Sequence, residues 1–516
     1  MLKQTQEKCQ RIWDEQPLVL IIGVALLFRL LATCFAKGWG MFDDHFIVIE
    51  SSQSWVDGYD YNDWLPGSAG NTGPTGHNLF YPGIHYLLFS FFNWTGLTDP
   101  QSKMYLVRLL HGLFSMITVY LGYRITESLD GKRSARLAGI LLAVLWFMPF
   151  MSVRNLVEMA CIPFLMIGYW MILRQPSREK LFLSFFLAGL CFGLAFNIRP
   201  QTMFFPIGTG LVMLFQKKWK ELGALALGSF FIVILVQGGI DFFVWGYPFA
   251  EMREYLNVCF TQRDDYITLP WYNYFLTLIG LLIPPVSFFL FFGFIRKWKR
   301  YFLIFLPVLI FFIFHSWFPN KQERFILPML PLFIVVGSIG WIEFVDRSKF
   351  WKRNKNLLRV CWGFFWAVNV VLLIVFTFSY SKRSRVESMV HLSKYSNIRY
   401  LTVLDTEGSP DMIPKFYLNQ WPTCLSEFSG DKSPDTLLSR VVKSPHNEWP
   451  RFVLFTGEKN LQPTIDKALE CMPALVYEAT IEPGFMDQAL HWLNPFNKNQ
   501  RIIIYRNNDF FPEKKE

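Results

Sequence analysis

Two adjacent carboxylates, Asp43 and Asp44, open a polar stretch immediately after the first long apolar run. Neighbouring acids repel, and partial removal from water suits one of them to taking a proton from an approaching hydroxyl. The plainer reading is that Asp43 caps a short helix and Asp44 is solvated, and charge alone does not separate the two. Farther along, three short turns each carry an arginine at the end of an apolar run: Arg154 with Glu158 one helical turn on, Arg199 before Pro200, and Arg324 in the stretch Asn320-Lys321-Gln322-Glu323-Arg324-Phe325. An arginine at the membrane edge costs about 2.5 to 3.5 kcal/mol, so it faces a polar cavity with a partner. Phosphate is a suitable partner, bound bidentately by arginine and as a point charge by lysine. A structural ion pair, such as Arg154 with Glu158, is the alternative for any single arginine. A third stretch, residues 245–271, is rich in Tyr and Trp and holds Arg263, Asp264, Asp265, Tyr266 and Trp271, with Asp241 just before it. Carboxylates beside aromatic faces suit a sugar.

The elements that must position these residues are membrane helices. The chain has 516 residues, 52% hydrophobic and 17% charged, against a charged share of about 25% in soluble proteins. Its apolar residues gather into runs near the roughly 20 residues that cross a bilayer as helix. Eleven such runs are expected, near 18–36, 104–126, 136–150, 156–173, 181–197, 202–215, 222–244, 272–295, 301–317, 326–345 and 357–379. The first reads as a retained anchor, since no small-residue cleavage site follows it. The formal charge of +10 is spread over short clusters between the runs, which argues topology and not nucleic acid. With the N-terminus inside, every cytoplasmic connection is basic, as in Arg296, Lys297, Lys299 and Arg300, and the candidate residues fall on the opposite face.

Residues 1–380 therefore read as a polytopic α-helical membrane domain with outer loops 38–103 and 245–271. Residues 381–516 read as a small soluble α/β domain, with strand-like runs at 399–404, 451–455 and 501–505. Tyr81-Pro82-Gly83-Ile84-His85 begins an amphipathic segment suited to the membrane surface. No cysteine set has metal-ligand spacing; Cys424 and Cys471 could pair if the tail faces an oxidising compartment.

The order of these segments resembles the GT-C superfamily, and within it the polyprenyl-phosphate-mannose-dependent α-mannosyltransferases of N-glycan and GPI-anchor assembly. Asp43-Asp44 falls where that family has an Asp-Glu pair, Tyr81 to His85 is similar to its Tyr-Pro segment, and Arg154 to Glu158 and Arg199-Pro200 resemble its next outer turns. Asp241-Phe242-Phe243, Tyr255-Leu256-Asn257 and Pro270-Trp271-Tyr272 resemble its central loop, and His315 to Pro331 its His-Lys-Glu-x-Arg-Phe signature. Asn320 stands in place of that His and Gln322 in place of that Glu, while Lys321, Arg324 and Phe325 match.

The resemblance implies a GT-C-like fold of about eleven transmembrane helices and an inverting transfer of a sugar, mannose first, from a polyprenyl-phosphate donor to a glycan, glycolipid or protein acceptor. Asp43 or Asp44 is then the base. Lys321 and Arg324, with Arg199 or Arg263, hold the donor phosphate; Asp241, Asp265, Tyr266, Trp271, Tyr81 and His85 bind acceptor or sugar; Arg154, Glu158, Gln322 and Glu323 support the site. The lipid-phosphate sugar is a substrate and no cofactor or metal ligand set is expected, although metal assistance stays open. The expected location is a bacterial inner membrane with the site facing the periplasm, the alternative being the ER lumen. A different lipid-linked sugar donor, a transporter and a non-catalytic assembly protein are the rival readings; no internal repeat of transporter type is present.

Overall fold

The computed structural model describes residues 10–68, 70, 73–174, 177–261, 268–407, 413–429, 438, 443–495 and 500–511. Arg263, Asp265 and Tyr266 lie outside the described residues. The chain forms two compact units. One comprises Met1–Cys34, Asp63–His85 and Tyr105–Phe378; the other Phe35–Asn62, Tyr86–Met104 and Ser379–Glu516.

The first unit is helical. Among the described residues six helices are long and apolar enough to cross a membrane: Pro17–Phe35, Pro100–Asp130, Arg178–Ile198, Trp219–Trp245, Glu323–Arg347 and Lys355–Thr377. A seventh candidate, Asn273–Leu281 with Val286–Arg296, bends by 117° at its break, where two prolines leave the backbone without donors. Val157–Leu173, Pro200–Phe215 and Phe302–Trp317 are shorter apolar helices. The remaining expected run is the 13-residue helix Lys132–Val144. Asn369 completes its frayed end, accepting from Trp146 N–H at 2.9 Å and donating to Val144 O at 2.8 Å, so backbone groups that lipid would leave unpaired are satisfied. The chain is a multi-pass membrane protein.

Small residues set the closest helix crossings. A Cβ on Gly189 would lie 2.3 Å from Leu225 O, and one on Gly340 2.0 Å from Gly293 O, so these backbones touch in the manner of packing within lipid. The window of Glu323–Arg347 that qualifies as a span is 89% buried, which makes it a helix surrounded by protein and a rigid base for the residues at its start.

The second unit carries a five-stranded sheet: β1 Tyr400–Asp405, β2 Cys424–Ser429, β3 Phe452–Thr456, β4 Leu475–Ile481 and β5 Ile502–Asn507, in the order β2-β1-β3-β5-β4. β1 pairs in parallel with β2 and β3, while β5 pairs antiparallel with β3 and β4. All five residues of β3 are buried, the pattern of a strand covered on both faces, and Val453 and Phe455 pack with Leu461, Ile465 and Ala468 of the helix Leu461–Cys471. Cys424 and Cys471 are both free thiols, so the disulfide considered from sequence is not formed.

Besides the residues from Ser379 on, the second unit includes Phe35–Asn62 and Tyr86–Met104 of the first loop. The reason is hydrogen bonding: both Glu50 carboxylate oxygens accept from Phe416 N–H at 3.0 Å, Asp57 accepts from Trp421 Nε1 at 2.6 Å, and Lys37 O accepts from Ser381 N–H at 3.1 Å.

Candidate active site

In the membrane unit, three interruptions of helix meet. Pro200 ends the helix Leu181–Ile198 and leaves Arg199 extended, with φ −140°, the conformation that a following proline enforces. Glu158 sits in the four-residue helix Val157–Ala160, and Arg324 in the 3-10 turn Glu323–Met329 that opens the buried span. Glu158 is wholly removed from solvent; one carboxylate oxygen lies 3.2 Å from Arg199 Nη2 and 3.6 Å from Arg324 Nε. Gln322 Oε1 accepts from Arg324 Nε at 2.9 Å, and Arg199 lies over the Phe325 ring at 4.5 Å. Lys321 is buried beside them in sequence and donates to Phe318 O at 2.5 Å. Tyr274 bonds to both sides of Gln322, donating to its carbonyl at 3.1 Å and accepting from its N–H at 3.2 Å, which fixes the strand of chain between Lys321 and Arg324.

A second buried arginine shows how these differ from a purely structural one. Arg29 donates to Ser115 Oγ and to the carbonyls of Ala25, Ala143 and Leu142 at 2.8–3.3 Å, so its guanidinium is spent on the frame. Arg199 holds one carboxylate oxygen that it shares with Arg324. Four cations, Arg154, Arg199, Lys321 and Arg324, are buried or nearly so in these turns. Among the described residues of these turns the acids are Glu158 and the exposed Glu323. Such an excess of positive charge in a dry site favours an anion. Removal from water also pulls Lys321 below the ordinary lysine value, and a nearby anion would favour its charged form. Arg154 lies over the Phe150 ring at 4.4 Å, and among the described residues the ion-pair partners of Glu158 are Arg199 and Arg324.

Nearby in sequence to the aromatic loop, Asp241 is buried and accepts from Gln237 Nε2 at 2.8 Å and from Glu251 N–H at 3.1 Å. Glu251 in turn accepts from three consecutive backbone N–H groups, those of Thr75, Gly76 and His77, at 3.0, 2.7 and 3.1 Å. Gly76 adopts φ +82° with its Cβ position 3.1 Å from Tyr255 N, a backbone that only glycine enters cheaply. Burial raises the Glu251 carboxyl to about 7, with the charge of Asp241 adding to this and the three N–H groups opposing it. Trp271 is exposed; Tyr81 Oη bonds to His111 Nε2 at 2.7 Å, and the rings of His85 and His111 stack at 5.4 Å. The candidate list drawn from sequence omitted Gln237, Glu251 and His111. Their only signal is tertiary: Glu251 looks like any acid in a first helical turn until Thr75 to His77 fold over it.

In the second unit, Asp43 and Asp44 open a π-helical segment, Asp43–Glu50. Its five-residue repeat sets His45 Nε2 3.1 Å from Glu50 Oε1, and the His45 ring lies between Trp39 and Tyr417, at 4.9 and 5.4 Å. Single-turn π segments mark functional sites often. The two acids differ. Asp44 is buried and accepts from Gly40 N–H at 2.9 Å and Met41 N–H at 3.2 Å, whereas Asp43 is half-buried. Asp44 is therefore not solvated: its side chain reaches back to the N–H groups of Gly40 and Met41, which precede the segment and must be satisfied from within.

A model of the Alg9-like mannosyltransferase family matches residues 77–406. The chain belongs to this family. GPI mannosyltransferase 3 of Saccharomyces cerevisiae is 29% identical over 178 residues, 32% of this chain and 28% of that protein. A protein of Schizosaccharomyces pombe described as a probable Dol-P-Man:Man(7)GlcNAc(2)-PP-Dol alpha-1,6-mannosyltransferase is 31% identical over 150 residues, 27% of each chain. The chain thus spans little more than a quarter of the length of these two relatives. The solved structure of ArnT from Cupriavidus metallidurans bound to undecaprenyl phosphate superposes with a TM-score of 0.60 at 14% identity, covering 94% of this chain and 97% of that one. That likeness establishes the GT-C fold. The Alg9-like match runs through Glu158, Arg199, Lys321 and Arg324 and begins after Asp43 and Asp44.

Proposed function

We propose that this protein is an inverting glycosyltransferase that moves a sugar, mannose first, from a polyprenyl-phosphate donor to a hydroxyl of a lipid-linked glycan. The observation that carries the reading is the pair of arginines, Arg199 and Arg324, on the buried carboxylate of Glu158, with the buried Lys321 three residues before Arg324, in a chain of the Alg9-like family. Those cations bind the donor phosphate and stabilise the charge that grows on it as it leaves. In the transfer, the acceptor oxygen bonds to the anomeric carbon while the bond from that carbon to the phosphate oxygen breaks, through an oxocarbenium-like transition state. The acceptor proton passes to a carboxylate and the polyprenyl phosphate departs with the bonding electrons. Asp43 is the preferred base, since it is the first acid beyond the first span and keeps some exposure, whereas Asp44 is buried. The related S. pombe protein is named for a dolichyl-phosphate-mannose donor and the ArnT structure holds undecaprenyl phosphate; a donor of that class fits the cations here.

The lipid-phosphate sugar is the only small molecule the reaction requires on this reading, and no cofactor is invoked. We place the reaction on the non-cytoplasmic face, in the periplasm of a bacterial inner membrane or otherwise in the ER lumen, from the basic connections on the opposite side. The test is transfer by the purified protein in proteoliposomes from synthetic polyprenyl-phosphate mannose to a lipid-linked mannoside. The expected result is product with inverted anomeric configuration and unchanged turnover after chelation of divalent metals. Absence of product with that donor, and its appearance with a polyprenyl-phosphate aminosugar, would reassign the donor. Absence of product with either, together with passage of solute across the vesicle, would favour a transporter.

A further inference from the structure

The soluble unit contains a helix whose polarity is reversed. Phe485–Leu493, sequence FMDQALHWL, follows β4. On a domain surrounded by water, its polar residues should face outward and its apolar ones inward. Here Asp487 is 2% exposed, while Phe485 is 75%, Trp492 82% and Leu493 70% exposed. Spacing at 100° per residue places Phe485, Ala489, Trp492 and Leu493 on one side of the helix and Asp487 and His491 on the other. The inward acid explains why the helix holds this orientation: Asp487 accepts from the backbone N–H groups of Lys382 and Arg383 at 3.1 and 3.2 Å, and from its starting turn Gly484 packs so tightly that a Cβ would lie 2.4 Å from Tyr380 O. The apolar face is therefore fixed outward and is not a side chain rotated out by chance.

What covers that face follows from where its anchor lies along the chain. The N–H groups that hold Asp487 belong to the fifth and sixth residues after Thr377, the end of the last membrane-spanning helix. Six residues of even fully extended chain reach at most about 20 Å, so the anchor is tethered within the headgroup depth of the bilayer or just above it. Phe, Trp and Leu on one face of a short helix at that height are the composition of an interfacial helix. Lys382 and Arg383 beside the anchor add positive charge that suits anionic headgroups.

We propose that the helix Phe485–Leu493 is a lipid-binding element that lies on the outer leaflet and seats the soluble unit on the membrane, with Phe485, Trp492 and Leu493 in the headgroup and acyl boundary. This role does not depend on the sugar or the donor. It also accounts for a high outward apolar content that a freely solvated domain would avoid as a liability.

The experiment is photocrosslinking of the full-length protein in phosphatidylcholine and phosphatidylglycerol proteoliposomes, with a benzophenone amino acid placed at position 492, at position 485 in a second variant, at exposed position 462 on the helix Leu461–Cys471 as the aqueous control, and at lipid-facing position 371 as the positive control. Lipid adducts at 492 and 485 several-fold above 462 and near the level at 371 are expected. Adducts at 492 and 485 no greater than at 462, while 371 labels, overturn the proposal. So does a crosslink from 492 to a second copy of the chain in place of lipid, which would make the face a protein interface.

Discussion

The cation cluster of the membrane unit and the acidic turn of the second unit solve opposite problems. Arg199, Arg324 and Lys321 are charges that a dry environment penalises, and they are kept there by a carboxylate, a glutamine and a tyrosine that leave them pre-positioned. In the acidic turn the two neighbours have been divided between tasks: Asp44 closes the backbone around Gly40 and Met41, and Asp43 keeps contact with solvent. A group that binds a leaving anion gains from rigidity and burial, whereas one that accepts a proton must be reached by its donor. The difference teaches that burial alone does not rank candidate residues; what counts is whether the buried polar atoms are already committed.

The comparison breaks most visibly at Asp43. Asp43→Asn should lower turnover by about 10²- to 10⁴-fold, the range for removing a general base, with an unchanged melting temperature. Asp44→Ala should instead lower stability by about 1–3 kcal/mol through its orphaned N–H partners. Thermal unfolding and initial rates on both variants separate them, and a turnover loss greater for Asp44→Ala than for Asp43→Asn would exchange the assignments.

Glu158→Gln addresses the other region. Removing one side of a buried ion pair while its cations stay costs about 3–5 kcal/mol, so the variant should unfold at lower temperature. If the cations serve a phosphate, added polyprenyl phosphate should recover more of that loss in the variant than it adds to the parent protein. Equal shifts in both proteins would mean that the cluster is only structural.

Lys321 sharpens the same point through pH. Burial depresses its value, so its charge is present at low pH and is lost as pH rises, earlier than for an ordinary lysine near 10.4. The donor KM should therefore climb with pH in the parent protein and stay flat in Lys321→Arg, whose charge does not titrate. The expected separation at the alkaline end is about tenfold, the scale of one charge-assisted contact of about 1.5 kcal/mol. A parallel climb in both would remove Lys321 from the phosphate.

Much of this arrangement was legible before the fold. Apolar runs marked the helices because lipid demands length and composition together, and the arginines stood out because they are expensive where they stand. The runs at 399–404, 451–455 and 501–505 became β1, β3 and β5, but β2 and β4 carry weaker alternation and were not separable from loop. The division of labour between Asp43 and Asp44 was not legible, since it depends on two backbone N–H groups and not on side-chain type. Nor was Glu251, whose partners lie 174 to 176 residues away.

Glu251 gives the smallest and most specific effect. Its carboxyl is raised to about 7, first by burial and then by Asp241, against the help of Thr75, Gly76 and His77 N–H. A carboxyl whose value is raised on folding contributes stability that is complete below its unfolded value and is lost as pH rises through about 7. The parent protein should therefore lose stability across that window while Glu251→Gln, which keeps an oxygen for the three N–H groups and cannot ionise, should not. The advantage of the variant should grow from near zero at about pH 4, below the ordinary glutamate value, to roughly 1–2 kcal/mol at about pH 8. Amide exchange at Thr75 to His77 reports the same event locally. If the variant gains nothing at the higher pH, the three N–H groups outweigh burial and the carboxylate is ionised throughout.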